Sequence, residues 1–281
     1  MSLWYEEFDQ DGLKYGYQIE KILFEEQSKF QKISVIETKT YGRALLIDDL
    51  VMITENDEFV YHELISHIPA LLHKKPSRVV VIGGGDGGTV REMLRHPEIE
   101  NITLCEIDSL VVETSHHYFP EVSAGLTDPR VEVMIGDGIE YVSNLPKESV
   151  DLMIIDSTDP IGPGEGLFTK EFYRNAAASL KADGLLCAQT ESPWHSRESI
   201  SRIHNNLAGG FSFVRPFIGV VPTYPRGLWS WSLASKHPVD PQAFSTERLE
   251  SFEDQLKYLN REVLPAAFAL PNFFKEKLKG C

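Results

Sequence analysis

The stretch that most constrains this chain is Gly83-Gly-Gly-Asp-Gly-Gly88, because of what flanks it. It follows directly on the apolar run Arg78-Val-Val-Val-Ile82 and precedes residues with helical spacing, Thr89–Arg95. A continuous apolar run of this kind suits a parallel strand buried on both faces. Gly83, Gly85 and Gly88 satisfy GxGxxG, in which glycines let the backbone turn sharply and approach a ligand closely. A tight turn without a ligand is the alternative, but strand, glycine loop and helix in succession are the setting that marks a nucleotide site.

Further apolar runs at Ile102–Glu106, Val131–Ile135, Leu152–Asp156 and Leu185–Gln189 alternate with helical spacing near Leu110–Tyr118, Lys170–Leu180 and Arg197–Leu207. The alternation predicts an α/β fold with a Rossmann-like doubly wound sheet. Before it, Tyr15–Phe24, Lys32–Glu37, Arg43–Asp48 and Leu50–Thr54 are rich in β-branched and aromatic residues and read as a small antiparallel β domain. A helix is predicted over Asp57–His73, so the domains are placed at 1–56 and 57–281. Phe211–Val220 and Trp229–Ser235 read as a hairpin around Pro222–Gly227, and the tail from Thr246 as helical, interrupted at Pro265 and Pro271.

The formal net charge of −15 argues against nucleic-acid binding, since an acidic surface repels phosphate, and favours small cationic ligands. By itself such a charge does no more than keep a protein dispersed. Cys105, Cys187 and Cys281 are odd in number, far apart and without metal-like spacing, which points to a reducing compartment. With no signal peptide in Met1–Glu7 and no apolar run of membrane-spanning length, the expected location is the cytoplasm, away from membranes.

The loop's Asp86 selects among nucleotide-like ligands. A carboxylate there repels pyrophosphate and the carboxylate of S-adenosylmethionine and attracts an ammonium, by about 4 kcal/mol at 4 Å in a partly screened site. A nucleoside whose tail carries an amine but no carboxylate fits best. Glu106 ends the next strand about twenty residues on, where an acid accepts from ribose hydroxyls; Asp108 reads equally well as a helix N-cap. Asp137, before Gly138, ends the third strand, where it could accept from an adenine amino group. The fourth strand ends at Asp156, with Asp159 three residues later, and the Gly/Pro-rich segment that follows reads as a lid over Ser157–Phe168. A carboxylate beside an aliphatic ammonium both binds the cation and accepts its proton as the amine attacks, although two capping aspartates are the plainer alternative. His62-Glu63 and His67 form HExxxH, one residue longer than the zincin pattern, and His116-His117 reads as a helix surface, so no metal is expected.

From Leu46 to Ser235 the chain closely resembles spermidine synthases of the polyamine aminopropyltransferase family. The motifs that carry the resemblance are Thr54-Glu-Asn-Asp-Glu-Phe-Val-Tyr-His-Glu63, Gly83–Glu92, Cys105-Glu-Ile-Asp108, Gly136-Asp-Gly138, Asp156–Pro163 and Pro222-Thr-Tyr-Pro225, with weaker likeness at Ala266–Pro271. The resemblance implies a methyltransferase-type Rossmann-like domain behind an N-terminal β domain, in a homodimer or homotetramer. It also implies transfer of the aminopropyl group of decarboxylated S-adenosylmethionine, a co-substrate rather than a cofactor, to the diamine putrescine, giving spermidine and 5′-methylthioadenosine. By matching motif, Asp156 resembles the proton acceptor, and Asp86 and Asp156 would flank the aminopropyl group. Gln31, Glu106, Asp137, Gly138 and Pro163 would hold the nucleoside, and Tyr61, His62, Asp159, Gln189 and Tyr224 the polyamine. Met52, where many relatives have glutamine, and Trp229 and Trp231 depart from the pattern and bear on the choice among putrescine, cadaverine, agmatine and spermidine. A methyltransferase shares the fold and the ribose-binding acid, but Asp86 and the Asp156/Asp159 pair do not suit its carboxylate-bearing donor. An inactive polyamine or nucleoside sensor is disfavoured by the intact Asp156 and Tyr224.

Overall fold

The computed structural model describes residues 2–8, 12–158 and 162–280, with the side chains at 162 and 163 left aside. The chain opens with β1 (Leu3–Phe8), β2 (Lys14–Gln27), β3 (Lys32–Thr38), β4 (Gly42–Ile47) and β5 (Leu50–Thr54), an antiparallel meander in which each strand pairs with the next. Strand β1 is absent from the sequence expectation for a physical reason. Leu3, Trp4 and Phe8 are exposed while Glu7 is buried, so no apolar alternation marks it. The β4–β5 turn is two residues, Asp48 and Asp49, with φ of 49° and 67°. Aspartate tolerates the left-handed region that such hairpin turns require, and Asp48 is further held by a hydrogen bond from the Lys32 amide.

Helix α1 (Glu58–Leu72) is buried along most of its length. There follow β6 (Arg78–Gly83), α2 (Gly88–Met93), β7 (Asn101–Glu106), α3 (Ser109–Tyr118), β8 (Val131–Ile135), α4 (Gly138–Asn144), β9 (Val150–Asp156), α5 (Lys170–Ser179), β10 (Leu180–Gln189), α6 (Arg197–Ala208), β11 (Phe213–Val220) and β12 (Leu228–Ser235). The unexpected α4 is only two turns long and begins at a glycine, so no apolar periodicity announces it. The hairpin β11–β12 forms as expected. In the tail, α7 (Thr246–Glu250), α8 (Val263–Ala266) and α9 (Asn272–Lys277) are short. Pro265 does not interrupt the helical tail but lies in the first turn of α8, where its missing N–H has no intrahelical partner to lose, and Pro271 is the cap before α9.

The large sheet has the order β11-β12-β10-β9-β6-β7-β8, parallel from β8 to β10, with β12 and β11 antiparallel. Alternate residues of β6 feed opposite cores, which explains its unbroken apolar run. Val79 and Val81 pack with α1 residues Leu64, Ile65 and Ile68, whereas Val80 and Ile82 pack with Phe172 and Tyr173 of α5. Chain order reverses between β6 and β9, where Gly83 lies opposite Asp156, and in sheets of this kind that is where a ligand crevice opens. The meander packs Ile33, Val35, Leu45 and Ile53 against Val111, Phe119 and Val122 in and after α3, which brings it over that crevice.

Candidate active site

A cleft with about 900 Å³ of atom-free space, part of it open to solvent, occupies the crevice. Its floor is the glycine loop and the ends of β6, β7 and β9, and its roof is Gln31, Leu45, Ile47, Met52 and Ile53 of the meander. A second chamber, also open to solvent, joins it at Met52, Tyr61, Ser157, Thr158 and Tyr224. Two joined chambers suit two substrates that meet at the junction.

The loop is glycine-rich because its backbone crowds its neighbours. Gly83 has φ of 78°, and a Cβ there would lie 2.2 Å from the Asp156 backbone oxygen. A Cβ on Gly88 would lie 2.2 Å from Cε1 of His62. Asp86 accepts from the Gly88 amide at 2.7 Å and approaches His62 Nε2 at 3.2 Å. Along the cavity floor, buried Glu106 accepts from the amides of Gly85 at 3.2 Å and Asp108 at 3.0 Å. Burial nevertheless pushes its carboxyl up to about 7. Asp137 is exposed and caps α4 by accepting from the Ile139 amide at 2.8 Å, with Gly138 beside it in the cavity wall. Asp108 is indeed the N-cap of α3, and its other oxygen accepts from Ser28 Oγ at 2.6 Å, which fixes the turn carrying Gln31 into the roof.

Beside Tyr61, which lines both chambers, buried Asp156 ends β9 and accepts from Tyr61 Oη at 2.8 Å and Thr89 Oγ1 at 2.6 Å. Burial, and then repulsion from Asp86, pushes its carboxyl above the usual range, despite those two donors. Asp86 goes the other way: burial opposes its charge, but His62 and the Gly88 amide hold it below the usual range. One carboxylate is therefore set to stay charged and its neighbour to take a proton, the split that acid–base sites use. Ligand atoms of His62, Asp86 and Asp156 lie within 4.8 Å of one another, the one such trio among the described residues. Both His62 nitrogens already face carboxylates, Glu58 at 2.5 Å and Asp86 at 3.2 Å, so the ring offers a cation no lone pair while it donates to both. A positive charge between the two aspartates is the better match, and an alkyl ammonium supplies one.

Tyr61 stacks obliquely on Tyr224 and Trp231, and Tyr224 donates to the Met52 carbonyl at 2.8 Å. Gln189 lines the second chamber and donates to the Ser157 and Thr158 carbonyls at 3.4 and 3.3 Å. Nine of the expected site residues (Gln31, Tyr61, His62, Asp86, Glu106, Asp137, Gly138, Asp156 and Tyr224) thus line one cavity, and Gln189 its neighbour. Asp159 and the Pro163 side chain lie outside what the structure describes; of the expected lid, residues 162–168 form a single 3-10 run. Sequence reasoning did not single out Thr89, which reaches Asp156 across elements, or Glu191 and His195, which line the second chamber. The HExxxH residues diverge: His62 faces Asp86, Glu63 accepts from the amides of 257–259, and His67 contacts His96 and Glu92. His116 and His117 are exposed at the end of α3.

Residues 3–55 match the family described as spermidine synthase tetramerisation domain and residues 58–243 the spermine/spermidine synthase domain. A curated polyamine aminopropyltransferase from Desulforudis audaxviator is 42% identical over 279 residues, covering 99% of this chain and 100% of the relative. One from Caldicellulosiruptor bescii is 44% identical, covering 99% of each. Among solved structures, that of a spermidine synthase in complex with the transition-state analogue AdoDATO superposes with a TM-score of 0.95 at 41% identity, covering 99% of this chain and 95% of that one. The spermidine synthase from Thermotoga maritima gives 0.93 at 40%, covering 99% and 94%.

Proposed function

Because this chain belongs to the spermine/spermidine synthase family, and is a polyamine aminopropyltransferase, we propose that its reaction moves the aminopropyl group of decarboxylated S-adenosylmethionine to putrescine. The observation that carries this reading is the pair Asp86 and Asp156 in the wall of the first chamber, Asp86 contacting His62 and the Gly88 amide and Asp156 accepting from the Tyr61 hydroxyl beside the junction. The donor's nucleoside occupies the first chamber, with Glu106 on the ribose, Gln31 at the roof, and Asp137, Gly138 and Pro163 about the adenine. Its aminopropyl ammonium lies on Asp86. The diamine enters through the second chamber past Tyr224, Gln189 and Asp159, and its near amine meets Asp156 beside Tyr61.

In the transfer, the amine nitrogen bonds to the carbon beside the sulfonium as that carbon–sulfur bond breaks. The bonding pair leaves with sulfur, giving neutral 5′-methylthioadenosine, and the proton lost by the nitrogen goes to Asp156. The sulfonium is leaving group enough that the step calls for no further cofactor. The donor's missing carboxylate is what lets Asp86 bind it, which separates this chemistry from methyl transfer by S-adenosylmethionine.

We also take residues 1–56 and 57–281 as the two domains and read the meander as an assembly surface, because Leu3, Trp4, Phe8 and Ile22 are exposed on it. We place the protein in the cytoplasm: Cys105 and Cys187 are buried free thiols, and among the described residues no helix is long and apolar enough to cross a membrane. The test is mass detection of 5′-methylthioadenosine after mixing the protein with decarboxylated donor and each of putrescine, cadaverine, agmatine and spermidine. Putrescine is expected to give the fastest release, together with spermidine. Faster turnover of another acceptor would reassign the diamine, and no release with any of them would overturn the reading.

A further inference from the structure

We propose that Glu58 and Arg91, which do not line the cavity, are positioning residues for aminopropyl transfer: acting through a doubly donating His62, they hold Asp86 as the fixed anion and leave Asp156 to take the proton.

Glu58 and His62 are one turn apart on α1, and the Glu58 Oε2 to His62 Nδ1 distance is 2.5 Å. Arg91 of α2 grips Glu58 with both ends of its fork, at 3.0 Å to Oε1 and 2.8 Å to Oε2. Its Nε donates to Glu92 at 2.7 Å, and Arg95 donates to Glu92 from the other side at 2.6 Å. A bidentate arginine keeps Glu58 ionised, so Glu58 can only accept. Asp86, facing the other ring nitrogen, also accepts. A ring between two acceptors has to donate from both nitrogens, which makes His62 an imidazolium. Burial opposes that charge, yet Asp86 and Glu58 hold the ring's pKa up at about 10. The charged or titratable groups packed about the ring are Glu58 and Tyr61 from α1, Asp86 from the loop, Arg91 from α2 and Asp156 from β9.

The ring lines the cavity but leaves an amine little surface to touch. His62 is 1% exposed, and Gly88 abuts its Cε1 so closely that a Cβ there would overlap it. Asp86, at 13% exposure, is the more open of the two to the cavity. His62, assigned to the polyamine site by resemblance, also bears on the substrate through Asp86. Without its charge, Asp86 and Asp156 would be two uncompensated carboxylates side by side, and Asp156 would hold its proton to higher pH.

The inference rests on the roles given above to Asp86 and Asp156, so its test reads His62 directly as well. Glu58→Gln keeps the shape and can donate an amide N–H to Nδ1, which leaves the ring in place but removes the anion. In the full chain labelled with ¹⁵N-histidine, one of the nine histidines is expected to show both ring nitrogens protonated at pH 8. That signal should vanish in His62→Gln, which assigns it, and convert to a neutral ring in Glu58→Gln. The acid limb of kcat against pH should move up by about one unit in Glu58→Gln and stay near wild type in Glu58→Asp. A neutral His62 in the wild type at pH 8 overturns the proposal. So does a Glu58→Gln enzyme whose pH profile is unmoved while only its stability falls. Should Asp156 not be the base, Asp156→Asn would keep its activity with the ¹⁵N signal intact, which distinguishes the two failures.

Discussion

Asp156→Asn preserves the size of the side chain beside the chamber junction and one acceptor for the Tyr61 or Thr89 hydroxyl, but it cannot take a proton. Loss of a general base lowers the rate by about 10²–10⁴, and the deficit should shrink as pH rises, because free amine then needs no base. Steady-state kinetics from pH 7 to 9.5 check this; near wild-type kcat at pH 7 would remove Asp156 from the role. Glu106 gives a second expectation with a defined sign. Its carboxyl, raised by burial to about 7, is still largely protonated at pH 6, whereas ribose hydroxyls donate to the ionised form. Binding of 5′-methylthioadenosine should therefore tighten as pH rises through 7 and level off above it. Glu106→Gln should weaken binding by about 1.5–3 kcal/mol, the worth of a hydrogen bond to a charged group, and flatten the pH dependence in calorimetry. The same shift means that the unliganded fold loses stability as pH rises from the ordinary glutamate range through 7, since the folded state holds the proton more tightly. Asp86, Glu106 and Asp156 were legible in the sequence because each follows directly on a glycine turn or an apolar run, so topology alone aims it at one crevice. Thr89 and Glu58 were not, because Asp156 lies 67 residues from Thr89, and Arg91, which grips Glu58, lies 33 residues from it.

Among the elements, the glycine loop with α2 is the part whose shape the chemistry uses most directly. Gly88→Ala would put a methyl 2.2–2.6 Å from three atoms of the His62 ring, which Glu58 and Asp86 hold from both sides. Overpacking of this kind costs about 1–3 kcal/mol. Denaturant unfolding should register the loss, and kcat should fall because Asp86 moves with the ring. Wild-type kinetics in Gly88→Ala would show that His62 can yield without consequence. The strands of the large sheet were readable from their apolar runs, since burial on both faces leaves a continuous signature. Strand β1 and helix α4 were not, for they take their stability from what they pair with. β1 lies exposed along the edge of β2, and α4 is a short helix capped by Asp137.

Over the whole molecule, Asp57 is where the meander, α1 and the β11–β12 hairpin meet. Its carboxylate accepts from Thr54 Oγ1 at 2.6 Å, the Thr223 amide at 2.9 Å and Thr223 Oγ1 at 2.7 Å. Asp57→Ala would leave these buried donors unpaired, at about 1–3 kcal/mol each, and release the loop that carries Tyr224. The KM for the diamine should rise more than that for the donor; equal changes would show that the loop keeps its place without Asp57. The exposed Leu3, Trp4, Phe8 and Ile22 lead to a further expectation at this scale. Trp4→Glu should lower the molar mass measured by sedimentation, and an unchanged mass would move the assembly surface elsewhere. By itself the sequence determined the alternating architecture, the nucleotide-type loop and the acidic strand ends, because periodicity, glycine spacing and strand order are local properties written along the chain. Only the tertiary structure decided that burial and Asp86 raise the Asp156 carboxyl while His62 and the Gly88 amide lower that of Asp86, and that His62 lies between Glu58 and Asp86. Those outcomes depend on burial and on partners brought together from α1, the loop, α2 and β9, and no spacing along the chain records the dielectric or the distances that fix them.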